Sequence, residues 1–143
     1  MIQLIETMTD KDLESIAAIW LESNLETHDF IDKNYWLMNY QIVKKMLPAA
    51  NIYAYFHDGK IVGFLGLINE YIAGIFVLKD YRSLGIGTKL LDFVKTENCT
   101  LTLNVYQKNH RAVQFYLRHS FEILKKENDI ETSEIELLME WTA

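Results

Sequence analysis

The sequence predicts a single mixed domain of the α+β class, a mainly antiparallel twisted sheet of about seven strands flanked by about four helices. Three observations lead there. Hydrophobic periodicity switches between helical and strand spacing in the order β-α-α-β-β-β-α-β-α-β-β, neither strictly alternating nor segregated. The stretch from Asn51 to Leu78 reads as three strands joined by tight turns, which fixes antiparallel neighbours. A glycine-containing loop, "YRSLGIG" at 81–87, then joins a strand to a helix, which calls for one parallel crossover.

Residues 1–6 alternate loosely, as a first strand does. Thr9 with Asp12 three positions on forms a capping-box variant, and Leu13, Ile16, Ala17 and Trp20 follow as one helical stripe that fades near Ser23–Asn24. The aromatic, acidic stretch 25–37 is irregular, and a second helix is predicted from about Tyr35 to Met46, closed by the only proline, Pro48. "NIYAYF" and "KIVGFLGLI" are strands around Asp58-Gly59, a strong hairpin signal. Asn69-Glu70 turns into "YIAGIFVL", predicted to be a buried strand. A helix from Gly87 to Thr96, a strand at Leu101–Tyr106 and a helix from Asn109 follow, the last with Ala112, Phe115, Tyr116 and His119 on one face. "FEILKKE" and "SEIELLMEW" close the chain as strands, the second either completing the sheet or pairing across a dimer.

With 143 residues, half of them hydrophobic, a full core forms without staples, and the single cysteine, Cys99, allows neither an internal disulfide nor a four-cysteine zinc site; no metal is expected. The longest apolar run, Ile61 to Ile68, is too short to span a bilayer, and the N-terminus lacks a basic signal region, so a soluble cytoplasmic protein is expected, with no membrane partner. The net charge of −6 argues against nucleic acid as a partner. Its distribution is uneven: Lys79 to Arg118 carries seven basic and three acidic residues, whereas residues 1–32 hold eight acids and one lysine. That contrast suits a small polyanion at one end of a site and a cation at the other, although ordinary solvated faces give the same pattern.

A helix N-terminus presents unpaired N–H groups and the positive end of the helix dipole. Gly85 and Gly87 strip the turn of side chains so that an anion can reach those groups, and Arg82 adds a mobile cation beside them. On sequence grounds this is a diphosphate cradle, although two glycines after a strand also serve simply as a tight turn. A dinucleotide fingerprint requires a third glycine where Leu90 stands, and the Walker A pattern is absent.

The motif Arg82-Ser83-Leu84-Gly85-Ile86-Gly87, with Asn109-His110-Arg111-Ala112-Val113-Gln114-Phe115-Tyr116 at the right separation, resembles the GNAT (GCN5-related) N-acetyltransferases, especially the small single-domain bacterial members. The resemblance extends over residues 1–143. It implies the GNAT fold and acetyl-CoA as cosubstrate, its pyrophosphate on the amides of Arg82, Ser83, Leu84, Gly85, Ile86, Gly87 and Thr88. It also implies a pantetheine arm paired with the strand at Ile75–Leu78, including Phe76 and Val77, and bonded by Asn109. Tyr116 then stands near the thioester sulfur. Two positions depart from the family pattern: Ser120 replaces a glycine and Lys79 a proline.

Acetyl transfer needs an amine that has lost a proton, and only about one free lysine in two thousand is neutral at pH 7. It also needs a donor for the carbonyl oxygen, offered by the backbone at Phe76–Val77, and an acid for the leaving thiolate, for which Tyr116 is the candidate. Glu70, before the cofactor strand, is the candidate base or else a turn residue. His28, Phe30, Tyr35 and Trp36 fall in the segment that covers the acceptor pocket, where they bind substrate or simply pack. The expected activity is acetyl transfer to a primary amine (a peptide or protein lysine or N-terminus, a polyamine or another small amine) by direct attack, in a monomer or homodimer. The alternative is a non-catalytic acetyl-CoA-binding sensor or interaction module.

Overall fold

The computed structural model describes residues 1–143. The strands are β1 (Ile2–Leu4), β2 (Asn51–His57), β3 (Lys60–Ile68), β4 (Tyr71–Val77), β5 (Thr100–Tyr106), β6 (Glu122–Asn128) and β7 (Ile135–Thr142). The helices are α1 (Asp10–Thr27), α2 (Lys33–Met46), α3 (Ile86–Glu97) and α4 (His110–Arg118). All seven strands form one sheet in the order β1-β2-β3-β4-β5-β7-β6, antiparallel at every junction except the parallel β4–β5 pair.

The strands feed a core on each face, and in β3 an extra residue at Val62 shifts the alternation. In β3, Ile61 and Phe64 pack with Ile16, Ala17 and Ile19 of α1 on one face. Val62 and Leu65 pack on the other face with Leu90, Leu91 and Val94 of α3. Burial on both sides is why this strand reads as an unbroken apolar run. The hairpin forms as its Asp-Gly pair requires, with positive φ at Asp58 (51°) and Gly59 (76°).

The helix boundaries differ from expectation for local reasons. α1 continues through Ser23–Asn24 to Thr27 because polar side chains bond back along the helix: Asn24 Nδ2 donates to the Trp20 carbonyl (2.9 Å) and Thr27 Oγ1 to that of Ser23 (2.6 Å). α2 starts at Lys33, capped by the Asp32 carboxylate, which accepts from Asn34 N (2.8 Å). On α4 the buried residues are Val113 and Tyr116; Ala112 and Phe115 are half-buried and His119 is the C-cap. β7 is interior, held between β5 and β6, so it completes the sheet and does not pair across a dimer.

The largest departure is in β4. Only Ile72 is fully buried in this strand, which reads from sequence as a core element. In its pairing with β3, Leu67 faces Ile72 and Gly66 faces Gly74, so Ala73 is an extra residue, a β-bulge. Pairing with β5 stops at the same place, after Tyr71–Thr102 and Ile72–Leu103. Beyond the bulge the two strands part, and the edge of β4 that β5 would have covered is left without a strand partner.

Ser120, between α4 and β6, has φ +69° and an exposed side chain. This left-handed conformation costs a non-glycine residue about 1 kcal/mol. Ser120→Gly is therefore expected to raise Tm by about 2–4 °C, measured by thermal unfolding. An unchanged or lower Tm would show that the loop relaxes at no cost.

Candidate active site

The parting of β4 from β5 opens a cleft of about 580 Å³ through the sheet. One end lies over the start of α3. Gly85, in the left-handed region at φ +80°, is the N-cap of that helix and carries no side chain to cap it. The N–H groups of Ile86, Gly87 and Thr88 thus have no side-chain acceptor, and Gly85 to Thr88 line the cleft. A Cβ on Gly85 would meet no atom within 4 Å, so the glycine is required by its backbone angle and not by crowding. Leu84 points to solvent (62% exposed) and can contribute only its backbone.

Arg82 is not the mobile cation expected from sequence. Its Nε donates to the Val77 carbonyl (3.0 Å) and its guanidinium pairs with Glu26 of α1 (3.3 Å). It ties the end of β4 to α1 while still lining the cleft. Arg111 of α4 donates to Ser83 Oγ (3.1 Å), and Arg118 also lines this end, so the anion-facing part holds two further guanidiniums that the sequence motif did not single out. The unpaired β4 edge, with Phe76 and Val77, forms the adjoining wall. A bare helix N-terminus with no acid in its first turn, next to a free strand edge, fits a diphosphate followed by an amide-bearing arm.

Tyr116 is buried (7% exposed) yet lines the cleft, and its hydroxyl makes no hydrogen bond to the chain. Burial, reinforced by Tyr71, pushes its ionisation well above the ordinary tyrosine range, so it stays a protonated donor.

The other end of the cleft is aromatic. His28 stacks on Trp36 (centroids 5.4 Å apart) and meets Tyr106 and Phe30 edge-on (5.2 and 5.6 Å). Phe30 and Tyr35 stand behind this layer, not in it: Tyr35 packs edge-on to Trp36 and its hydroxyl donates to Glu131 (2.8 Å). Asn109 caps α4, its Oδ1 accepting from Ala112 N (3.3 Å). Its Nδ2 therefore faces His28 Nε2 (3.2 Å), which accepts. His28 Nδ1–H then donates to Asn24 Oδ1 (2.9 Å). This chain of bonds joins α1 to α4 across the opening. Burial lowers the His28 pKa to about 4, against a small opposing pull from Asp29, so the ring is neutral.

Glu70 does not reach the cleft. It sits exposed in the β3–β4 turn, where its backbone carbonyl accepts from Thr102 N (2.9 Å) and helps fix the last paired residues of β4 and β5. The one carboxylate lining the cleft is Glu136 on β7, which sequence reasoning missed. Nothing local marks it in "SEIELLMEW"; only the register that sets it opposite Tyr106 brings it there. No cluster of three or more His, Cys, Asp or Glu side chains able to hold a metal is formed, and no helix is long and apolar enough to cross a membrane.

Residues 4–121 match the model of the acetyltransferase (GNAT) family. The chain is 32% identical over 140 residues to the peptidyl-lysine N-acetyltransferase YiaC of Escherichia coli, covering 96% of both chains. It is 34% identical over 111 residues to the peptidyl-lysine N-acetyltransferase YjaB of Salmonella typhimurium, covering 77% of each. The solution structure of apo YjaB from Escherichia coli superposes with a TM-score of 0.85 at 26% identity, over 99% of this chain and 96% of that one.

The neutral His28 makes stability pH-dependent. Its folded pKa lies below the unfolded value of 6.5, so its contribution is complete above pH 6.5 and is lost as pH falls toward 4. The loss is at most about 3 kcal/mol. Unfolding in denaturant from pH 7 to 4.5 is expected to show a steeper loss for the wild type than for His28→Gln; parallel curves would show that His28 accepts a proton without disturbing the fold.

Proposed function

This chain belongs to the acetyltransferase (GNAT) family, and we propose that it transfers an acetyl group from acetyl-CoA to the side-chain amine of a peptide or protein lysine. The observation that carries the reading is the cleft itself: an unpaired β4 edge and a bare α3 N-terminus at one end, an aromatic layer beside Glu136 at the other, and Tyr116 in between. Two relatives that the chain matches over most of its length are peptidyl-lysine N-acetyltransferases, which supports lysine over other amines.

Acetyl-CoA supplies the acetyl group in activated thioester form. The N–H groups from Ile86 to Thr88 hold its diphosphate, with Arg111 and Arg118 balancing charge. The β4 edge takes up the amides of the pantetheine arm, and a backbone N–H there donates to the carbonyl oxygen as negative charge develops on it. Asn109 releases His28 to bond the arm. Tyr116, kept protonated by burial, gives its proton to the departing sulfur. His28, Trp36 and Tyr106 form an aromatic slot for an aliphatic lysine stem, with Phe30 and Tyr35 holding those rings in place. Such a slot suits a cation on a flexible stem.

The test is thiol release and mass analysis with acetyl-CoA and four acceptors: a lysine peptide with a blocked N-terminus, a peptide with only a free N-terminus, a polyamine and an amino-sugar. Acetylation of the lysine peptide is expected, and Tyr116→Phe should reduce kcat about a hundredfold while thermal stabilisation by CoA is retained. CoA binding without transfer to any amine would instead mean a binding module.

A further inference from the structure

The lysine reading leaves one chemical task without a residue, removal of the proton from the acceptor ammonium. Neither Glu70, the base candidate read from the sequence, nor His28 in the aromatic slot fits it. Glu70 is outside the cleft. His28 keeps Nδ1 bonded to Asn24, its Nε2 is held by Asn109 until the arm binds, and its burial makes it a weak base throughout.

Glu136 meets every requirement. It is the one Asp or Glu side chain among the residues lining the cleft. It lies on β7 opposite Tyr106 of β5, and so on the same face of the sheet as the aromatic slot. It takes part in none of the chain's ion pairs. The neighbouring acids are already engaged: Asp129 accepts from the Tyr106 hydroxyl (2.9 Å) and Thr132 (3.0 Å), Glu131 accepts from Tyr35, and Glu134 pairs with Lys108. Glu136 alone is left facing the opening.

We infer that Glu136 receives the ammonium of the acceptor lysine and takes the proton that makes it nucleophilic. This rests on the acetyltransferase reading above and adds the group that reading lacks. One N–H bond of the ammonium breaks and its proton goes to the Glu136 carboxylate, then to solvent. The freed lone pair forms the N–C bond to the acetyl carbon and the C–S bond breaks. The nitrogen loses a second proton to solvent, which balances the proton that Tyr116 gives the sulfur and recovers from water.

The groups around Glu136 favour this use. Tyr106 faces it from β5, Glu127 from β6 and Asp129 from the turn, with His28 and Tyr35 beyond the Tyr106 ring. None of these is cationic, since His28 is neutral and Lys108 is held by Glu134. Burial, with Asp129 and Glu127 adding to it, raises the Glu136 pKa, which makes the carboxylate a stronger base than a free one and attracts a lysine cation.

The experiment measures kcat and KM for the lysine peptide from pH 6 to 9.5 in the wild type, Glu136→Gln and Glu136→Asp, with thermal stabilisation by CoA as the check on folding and cosubstrate binding. In the wild type, kcat/KM should level off between the pKa of Glu136 and that of the lysine. In E136Q it should fall about a hundredfold at pH 7, with a loss in kcat, and should climb tenfold per pH unit as free amine accumulates. The CoA shift should be unchanged. Activity within threefold of wild type with the same pH profile would overturn the assignment, and so would a rise in KM alone, which marks a cation-binding residue that moves no proton. If E136Q fails to fold, E136D decides: at least a tenfold loss in kcat is expected from the withdrawn carboxylate, and less than threefold overturns it. Failure of the wild type to acetylate any amine counts against the acetyltransferase reading and leaves Glu136 with no proton to accept, so that the two failures are told apart by the wild-type control.

Discussion

The bulge at Ala73 governs the site. One extra residue in β4 ends its pairing with β5 after two residue pairs, and the free edge, the cleft and the access of both cleft ends to one another all follow. A straight β4 would pair along its whole length with β5, close the sheet and bury the polar edge that now faces the opening. The cost is a set of unpaired backbone groups, tolerable because the cleft leaves them open to water or to a ligand's amides. The split sheet remains one body because one core cluster spans the parting, joining Val62 and Leu65 of β3 to Leu101 and Leu103 of β5 and Met139 of β7. α1 packs on the β2–β3 side, and α4 joins the cluster that includes β5 and β7.

Two polar ties then set the width of the opening. Arg82 links the end of β4 to α1 through the Val77 carbonyl and Glu26. Asn24, His28 and Asn109 link α1 to the start of α4. The second tie uses the amide that the family resemblance assigns to the pantetheine arm. In the proposed function, cosubstrate binding and the position of the aromatic slot share Asn109, whose amide faces His28. Charge follows the same division, with Arg111 and Arg118 at the helix end and Glu136 with Asp129 and Glu131 around the slot; these acids come from the β6–β7 region, and none from the acidic stretch 1–32 lines the cleft.

Much of this was legible in the chain. Thr9 and Asp12 form the capping box and Asp58-Gly59 the hairpin, as read; Gly85 and Asn109 stand at the helix starts where the sequence put them, with a left-handed angle and a capping bond that the sequence reading did not name. These are local signals, in which a residue's own conformational preference decides the outcome. The bulge was not legible, because "YIAGIFVL" carries an apolar pattern that the extra residue does not interrupt; its effect exists only relative to β3. Glu136 was hidden for a similar reason. It comes to the cleft through β5–β7 register, across thirty residues of chain, whereas Glu70 is close in sequence to β4 yet lies exposed in a turn outside the cleft. α1 outlasted its predicted end because Asn24 and Thr27 found carbonyl partners on their own helix, an outcome that residue type alone does not fix.

The central claim is that the parted β4 edge and the α3 N-terminus together hold the cosubstrate. Amide hydrogen exchange with and without CoA tests it most directly. At a concentration about 100 times the dissociation constant, amides at 74–77 and 83–88 should exchange up to about a hundredfold more slowly, while the β1–β3 amides far from the cleft respond much less. Unchanged exchange at both segments, or protection confined to another surface, would contradict the account.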